Sequence, residues 1–429
     1  MLTESFEVFD DRFRRYAGGC VHLEKLYTGC RWAEGPAYFA AGKYLIWSDI
    51  PNDRIMRWDE TDGSVSVFRS PALNTNGHTV DREGRLVSCE HRGRCVSRIE
   101  HDGSRTVLVS HYQGKKLNSP NDVVVKSDGT IWFTDPSYGI DTEYEGDAAP
   151  SELDGRCHVY RFDPVSKDLT AVATDFEKPN GLAFSPDESL LYVADTGATH
   201  VPYGPRHIRR FKVAADGKSL SGGEKFAECQ VGLFDGFRLD IHGNIWTSTG
   251  AGVDCYAPDG TLIGRVRVPE VVANVCFGGP KRNRLFICGT TSLYAVYLNA
   301  RGARPRGRSR RYAGRARRRG ASLRRGGLGS RPGRVPVSAG GVVQALRPEV
   351  ARVPGHAGPP GQRCQAGGGA GQVFRAGLDL AEQVLQAGLH FLHGLHHAAR
   401  RLTGNRRAQV AGGNARGHLG HFLRLSAQL

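Results

Sequence analysis

Six short segments of this chain repeat one pattern, and that repeat limits the fold more than any other feature. Each copy opens on a side chain that carries oxygen: Glu34, Asn76, Asn121, Asn180, Asp235 and Asn274. Four of the six are followed directly by glycine, at Gly35, Gly77, Gly181 and Gly236. Fourteen or fifteen residues later comes a second apolar run, such as IWSD ending at Asp49, WFTD at Asp135 or YVAD at Asp195. A third run follows, as in IMRWD, VYRFD and IRRFK. Turn pairs such as Asp128-Gly129 and His242-Gly243 separate the first and second runs. Helical periodicity is nearly absent from residues 20–300, so the runs are short alternating strands.

The six starts are spaced by 42, 45, 59, 55 and 39 residues. Four strands in roughly 40–50 residues make one blade of a propeller, which predicts an all-β, six-bladed β-propeller over residues 1–300. The two long spacings predict insertions at 136–158 and 196–207, both after a second strand and therefore on one rim. Five copies supply a fourth strand. The sixth ends at Tyr297 without one, so residues 21–27 (VHLEKLY) are expected to complete that blade and close the ring, removing its free edges.

The inner strand of each blade lines the central channel, so the six opening residues converge on the axis. Six oxygen-bearing side chains there suit a hard divalent cation, and the layer has no His or Cys pair for a soft one. The competing reading is that Asn-Gly and Asp-Gly are turn dipeptides, repeated only because the blades are. Asp49, Glu90, Asp135 and Asp195, which end second strands, are expected to hydrogen-bond from blade to blade and to cap turns. Strand alternation would place His78 on the same face as Asn76.

The motifs EGPAY (34–38), NSPNDVVVKSDGTIWFTDPSYGI (118–140), KPNGLAFSPDESLLYVADTG (178–197) and FDGFRLDIHGNIW (234–246) resemble the gluconolactonase/regucalcin family of six-bladed propeller lactonases. Diisopropyl fluorophosphatase is a more distant relative. The resemblance spans about residues 20–300. It implies one divalent ion in the channel, calcium first, with zinc, magnesium and manganese as alternatives. Its ligands would be Glu34, Asn121, Asn180 and Asp235, with Asn121 facing substrate in some members. It implies hydrolysis of a lactone, a small-molecule partner, with Asp235 as general base and Asn121, Asn76 and His78 contacting substrate. An arginine that holds the sugar in animal members is Ser119 here. A non-enzymatic ion-binding module and a phosphotriesterase-like hydrolase are the alternatives.

Charge divides the chain sharply. Residues 1–300 carry 34 Lys+Arg against 40 Asp+Glu; residues 301–429 carry 24 Arg, no Lys and 3 acids. The net +15 of the whole chain therefore belongs to the last 129 residues, and no nucleic-acid partner is expected for the propeller. That tail is rich in Arg, Gly and Ala, lacks Ile, Met and Trp, and reads as a low-complexity, disordered or out-of-frame extension. Its histidines His390, His393, His396 and His397 lie in a helix-like stretch at 373–402. No run is long and apolar enough for a bilayer. The acidic N-terminus lacks a leader's apolar core, and nine cysteines are scattered through the first 300 residues without CxxC pairs. Buried free thiols in a reducing cytoplasm, with no membrane partner, are the expectation.

Overall fold

The structure, a computed structural model, describes residues 4–19 and 21–304. The expectations for the tail beyond 304, including its four histidines, lie outside the described residues.

Six antiparallel four-stranded sheets follow one another in chain order, each running from an inner strand outward. The inner strands are Ala33–Phe39, Thr75–Val80, Val123–Val125, Pro179–Phe184, Phe237–Leu239 and Val272–Gly278. The sixth blade takes its outermost strand from the N-terminus: Glu24–Thr28 pairs with Ser292–Tyr297, as Glu24 opposite Ala295 and Thr28 opposite Ser292. The sequence pattern did not reveal a further strand, Phe6–Val8. It adds to the outer edge of the fifth blade against Leu262–Arg267, as Phe6 opposite Val266. At three residues it is too short to show alternation. Phe13 and Tyr16, just after it, cover Trp246. The expected end at residue 300 is also passed: Arg301 accepts from the Ile241 N–H at 2.9 Å and the Ala303 N–H donates to Leu239 at 2.9 Å.

The interfaces between blades bury the second-strand tryptophans. Trp132 meets Phe184 of the next inner strand edge-on, with centroids 5.3 Å apart, and Trp246 meets Phe277 in the same way at 6.2 Å. Trp47 packs on Tyr27 of the closing strand at 5.7 Å, which seals the first blade to the sixth. Apolar burial of this kind is the main force holding neighbouring sheets together.

Near the axis the blades touch through backbone. A Cβ on Gly181 would lie 2.2 Å from the Asp235 carbonyl oxygen, one on Gly77 2.5 Å from that of Asn121, and one on Gly35 2.0 Å from that of Asn76. Hydrogen bonds cross at the same places, from Gly77 N–H to Asn121 O at 2.7 Å and from Gly236 N–H to Ala273 O at 2.7 Å. Gly77, Gly181 and Gly236 have negative φ and sit within or beside strands. They are therefore close-approach glycines, and the turn-dipeptide reading fails for them.

The acids that end second strands tie down their own blades. Asp195 accepts from the N–H groups of Glu177, Lys178 and Gly197, and Asp49 from those of Arg31 and Trp32 and from the Arg54 side chain. Glu90 is gripped by Arg105 and by Ser97 at 2.6 Å. Asp135 accepts from Asn118 N–H at 2.9 Å.

Because the Gly181 contact is backbone against backbone, Gly181→Ala should destabilise the domain by about 1–3 kcal/mol, the usual cost of overpacking. The midpoint of urea unfolding should fall accordingly, and an unchanged midpoint would show that the ring tolerates a wider axis.

Candidate active site at the channel mouth

The opening residues coincide with irregularities in the inner strands. Glu34 pairs with Ser48 but Ala37 with Ile46, so the inner strand holds one extra residue. The same extra residue occurs between Thr75 and His78, between Pro179 and Leu182, and between Val272 and Asn274. In the third blade, Asn121 N–H and Asp122 O both bond to Thr134. A β-bulge breaks strict alternation and re-aims a side chain, and here it turns the opening residue toward the axis.

Glu34 and Asn274 meet across the seam between the sixth and first blades, with the Asn274 amide donating to Glu34 Oε2 at 2.9 Å. Gly35 N–H donates to the same oxygen at 2.7 Å. The Asn274 carbonyl in turn accepts from Val275 N–H at 2.8 Å. Asn274 is thus satisfied at both ends and positions Glu34. The Asp235 carboxylate lies within hydrogen-bonding reach of the Asn180 amide and within electrostatic reach of Glu34. Asn180 is steadied by Thr196 at 3.4 Å. The side-chain oxygens of Asn121 and Asn180 accept no hydrogen bond among the described residues.

Burial dominates the electrostatics. It lifts Glu34 from about 4.5 to about 8, with smaller contributions from Asp122 and Glu145. Burial also lifts Asp235 well above the usual range, followed by the charges of Glu34, Glu145 and Asp122. Among the described residues, no Lys, Arg or His forms an ion pair with Glu34 or Asp235. A buried and a half-buried carboxylate within electrostatic reach of one another, without a cation, are an expensive arrangement. The open oxygens beside them come from Asn121 and Asn180, and no three His, Cys, Asp or Glu side chains form a cluster among the described residues. The donors are all hard oxygens, and two of them are anionic. This set fits one hard divalent cation.

The structure does not bring the other two expected substrate contacts to the acids in the manner alternation suggested. Asn76 is tied through its amide nitrogen to His91 Nε2 at 3.2 Å. His78 lies past the bulge and is pinned by Ser48 at 2.8 Å and Ser88 at 2.7 Å, so both ring nitrogens are used. Burial drives its pKa down to about 3, and it stays neutral. Ser119 is also committed: its hydroxyl donates to Pro136 O at 2.6 Å and accepts from Gly139 N–H at 2.9 Å, holding the base of the first insertion.

The two insertions do meet on one rim. Tyr138 bonds Thr196 at 2.6 Å and Thr199 at 3.0 Å, while Asp141 bridges Lys178 at 3.0 Å and His200 at 3.3 Å. Their contribution to the site was not legible residue by residue. Glu145 lies 3.6 Å from His91 and is half-buried, and its partial desolvation lifts it to about 7. Its charge and the Tyr138 ring both reach the Asp235 region. The signal was the insertion itself, whose irregular sequence does not distinguish one acid from another.

Comparison with known proteins agrees with this geometry. The family model described as SMP-30/Gluconolactonase/LRE-like region matches residues 32–291. A gluconolactonase of Zymomonas mobilis is 28% identical over 302 residues, covering 64% of this chain and 80% of that protein. The solved structure of a gluconolactonase from Xanthomonas campestris is 38% identical with a TM-score of 0.64, covering 69% of this chain and 95% of that one. A calcium-binding regucalcin from Agrobacterium tumefaciens shares the fold at 20% identity and a TM-score of 0.55, covering 66% of this chain and 97% of that one. With more than half its length matched by the family model, the chain belongs to the SMP-30/gluconolactonase/LRE-like family.

Proposed function

We propose that this chain is a divalent-metal-dependent hydrolase that opens a sugar-type lactone at the Glu34–Asp235 mouth of the channel. The observation that carries this reading is the pair of carboxylates within electrostatic reach of one another, Glu34 buried and Asp235 half-buried, neither with an ion-pair partner among the described residues, together with the open amide oxygen of Asn180 and that of Asn121 at the equivalent position of the third blade. Names of relatives point to the same substrate class. Glu34, Asn180 and Asp235 would hold the ion, with Asn121 at its edge toward substrate, and the hard donor set favours calcium. A cation held there would offset the two charges, polarise the lactone carbonyl and stabilise the oxyanion that develops on it.

The chain's own groups supply the remaining chemistry. Asp235 accepts the proton of the attacking water as oxygen bonds to the carbonyl carbon. When the ring C–O bond breaks, the same proton passes to the leaving alkoxide. Asn274 and Gly35 keep Glu34 from turning away, and Asn180 does the same for Asp235. Glu145 and Tyr138, from the insertion above, provide a hydrogen-bonding wall for sugar hydroxyls. Eight described cysteines are free and buried, which supports a reducing compartment such as the cytoplasm. Among the described residues no helix is long and apolar enough to cross a membrane.

Asp235→Asn should lower kcat on gluconolactone by about 10²–10⁴-fold, the range of a general base. Glu34→Gln should lose the bound cation, measured by metal analysis, with the β-sheet circular dichroism unchanged. Chelation should abolish turnover and calcium should restore it; full activity in chelator would overturn metal dependence. Undiminished turnover by Asp235→Asn would remove Asp235 from its role, and phosphotriester turnover without lactone turnover would reassign the substrate class.

Stability provides a second test. Glu34, Glu145 and Asp235 hold protons in the folded chain at pH values where the unfolded chain has lost them. Between about pH 4.5 and 8 these groups therefore make stability fall as pH rises. The metal-free protein should melt lower at pH 8 than at pH 6, and added calcium should raise Tm more at pH 8. An equal calcium shift at both values would show that the ion does not sit on these acids.

A further inference from the structure

Past the bulges, the inner strands run on to the opposite end of the channel. A cavity of about 220 Å³ opens there among residues two to four positions beyond the opening ones, including Tyr38, Arg238 and Phe277. This end has the reverse polarity. Three guanidinium groups line it, from Arg238, Arg282 and Arg304, against one carboxylate, Glu188.

That carboxylate is already engaged. Glu188 accepts from Ser127 N–H at 2.9 Å and faces Lys126 at 3.4 Å and Arg82 at 3.7 Å. Arg238 donates through Nη1 to Asp122 at 3.3 Å and to the Phe237 carbonyl at 2.7 Å, leaving Nε and Nη2 without a partner among the described residues. Arg282 donates only to carbonyls, those of Ala303 at 2.7 Å and Gly302 at 3.4 Å. No described carboxylate pairs with Arg282 or Arg304. Burial, and then the charge of Arg304, weigh against the charged form of Arg282. Partly desolvated cations crowded together without a counter-charge are costly, and an anion placed between them relieves that cost.

We propose that this second mouth of the channel is a binding site for a small oxyanion, a phosphate or a carboxylate, held between Arg238, Arg282 and Arg304. Guanidinium forks match the paired oxygens of both groups. The cavity is smaller than the roughly 300–1,000 Å³ of sites for drug-sized ligands, so it suits an ion or a small acid.

Isothermal titration of the full chain, dialysed free of metal and chelator, tests this with inorganic phosphate in one arm and gluconate in the other. The arm that gives a saturable single site identifies the source. Arg282→Gln and the more exposed Arg304→Gln should each weaken that site at least tenfold. Any background from the Arg-rich segment is common to all three proteins and cancels. Circular dichroism reports whether Arg282→Gln folds, and Arg304→Gln carries the test if it does not. No saturable binding in either arm would overturn the proposal, as would equal affinity in wild type and the folded variants.

Discussion

The close approach of neighbouring inner strands at the axis is the constraint on which the site depends. Six sheets can meet around a narrow channel only if their inner backbones come within van der Waals contact, and glycine is the residue that allows this. Gly35, Gly77 and Gly181 sit where a methyl group would strike the next blade's backbone. Each follows an opening residue, so the geometry that lets the blades close also fixes where Glu34, Asn76 and Asn180 stand. Packing and chemistry are thus set by adjacent positions in each repeat. A substitution at the glycine would move the side-chain oxygen beside it.

The bulge adds the second half of this device. An extra residue in the inner strand releases the opening side chain from alternation and leaves its carbonyl and N–H to bond the neighbouring strand. Burying Glu34 at such a point, with the half-buried Asp235 within electrostatic reach, works against stability, because neither has a cation among the described residues to offset its charge. One residue further along the strands, Asp122 has a guanidinium partner in Arg238. The acids at the ends of the second strands are bonded to backbone N–H groups or to arginines, apart from Asp135 Oδ1, which is buried without a partner. Structural acids in this fold are satisfied from within the chain, and the axial pair is left for something the chain does not itself supply.

The sequence made the repeat legible because each blade repeats an apolar run at nearly constant spacing, and the closing strand could be found by its distance from Glu34. The expectation that Glu34, Asn121, Asn180 and Asp235 share one layer came from the same register. The errors have a physical source. His78 was placed beside Asn76 by counting in twos, and the bulge between them breaks the count. Glycines after Asn and Asp resemble turn signals, because one residue type serves both a positive φ and a close contact. Phe6–Val8 is too short to carry a period. Glu145 belongs to an insertion outside the repeat, so only three-dimensional packing against His91 singles it out from the other acids nearby.

The channel has opposite electrical ends. Carboxylates crowd the mouth beneath the insertions, guanidinium groups crowd the other, and the Arg238–Asp122 pair stands between them. Asp122 raises both Glu34 and Asp235 through its charge. Whatever draws Arg238 toward the second mouth leaves Asp122 less compensated and makes the acid end more negative. Whatever cation settles on Glu34 and Asp235 lessens the demand on Arg238. Asp122 thus stands between the two ends: it pairs with Arg238 on one side, and its charge acts on Glu34 and Asp235 on the other.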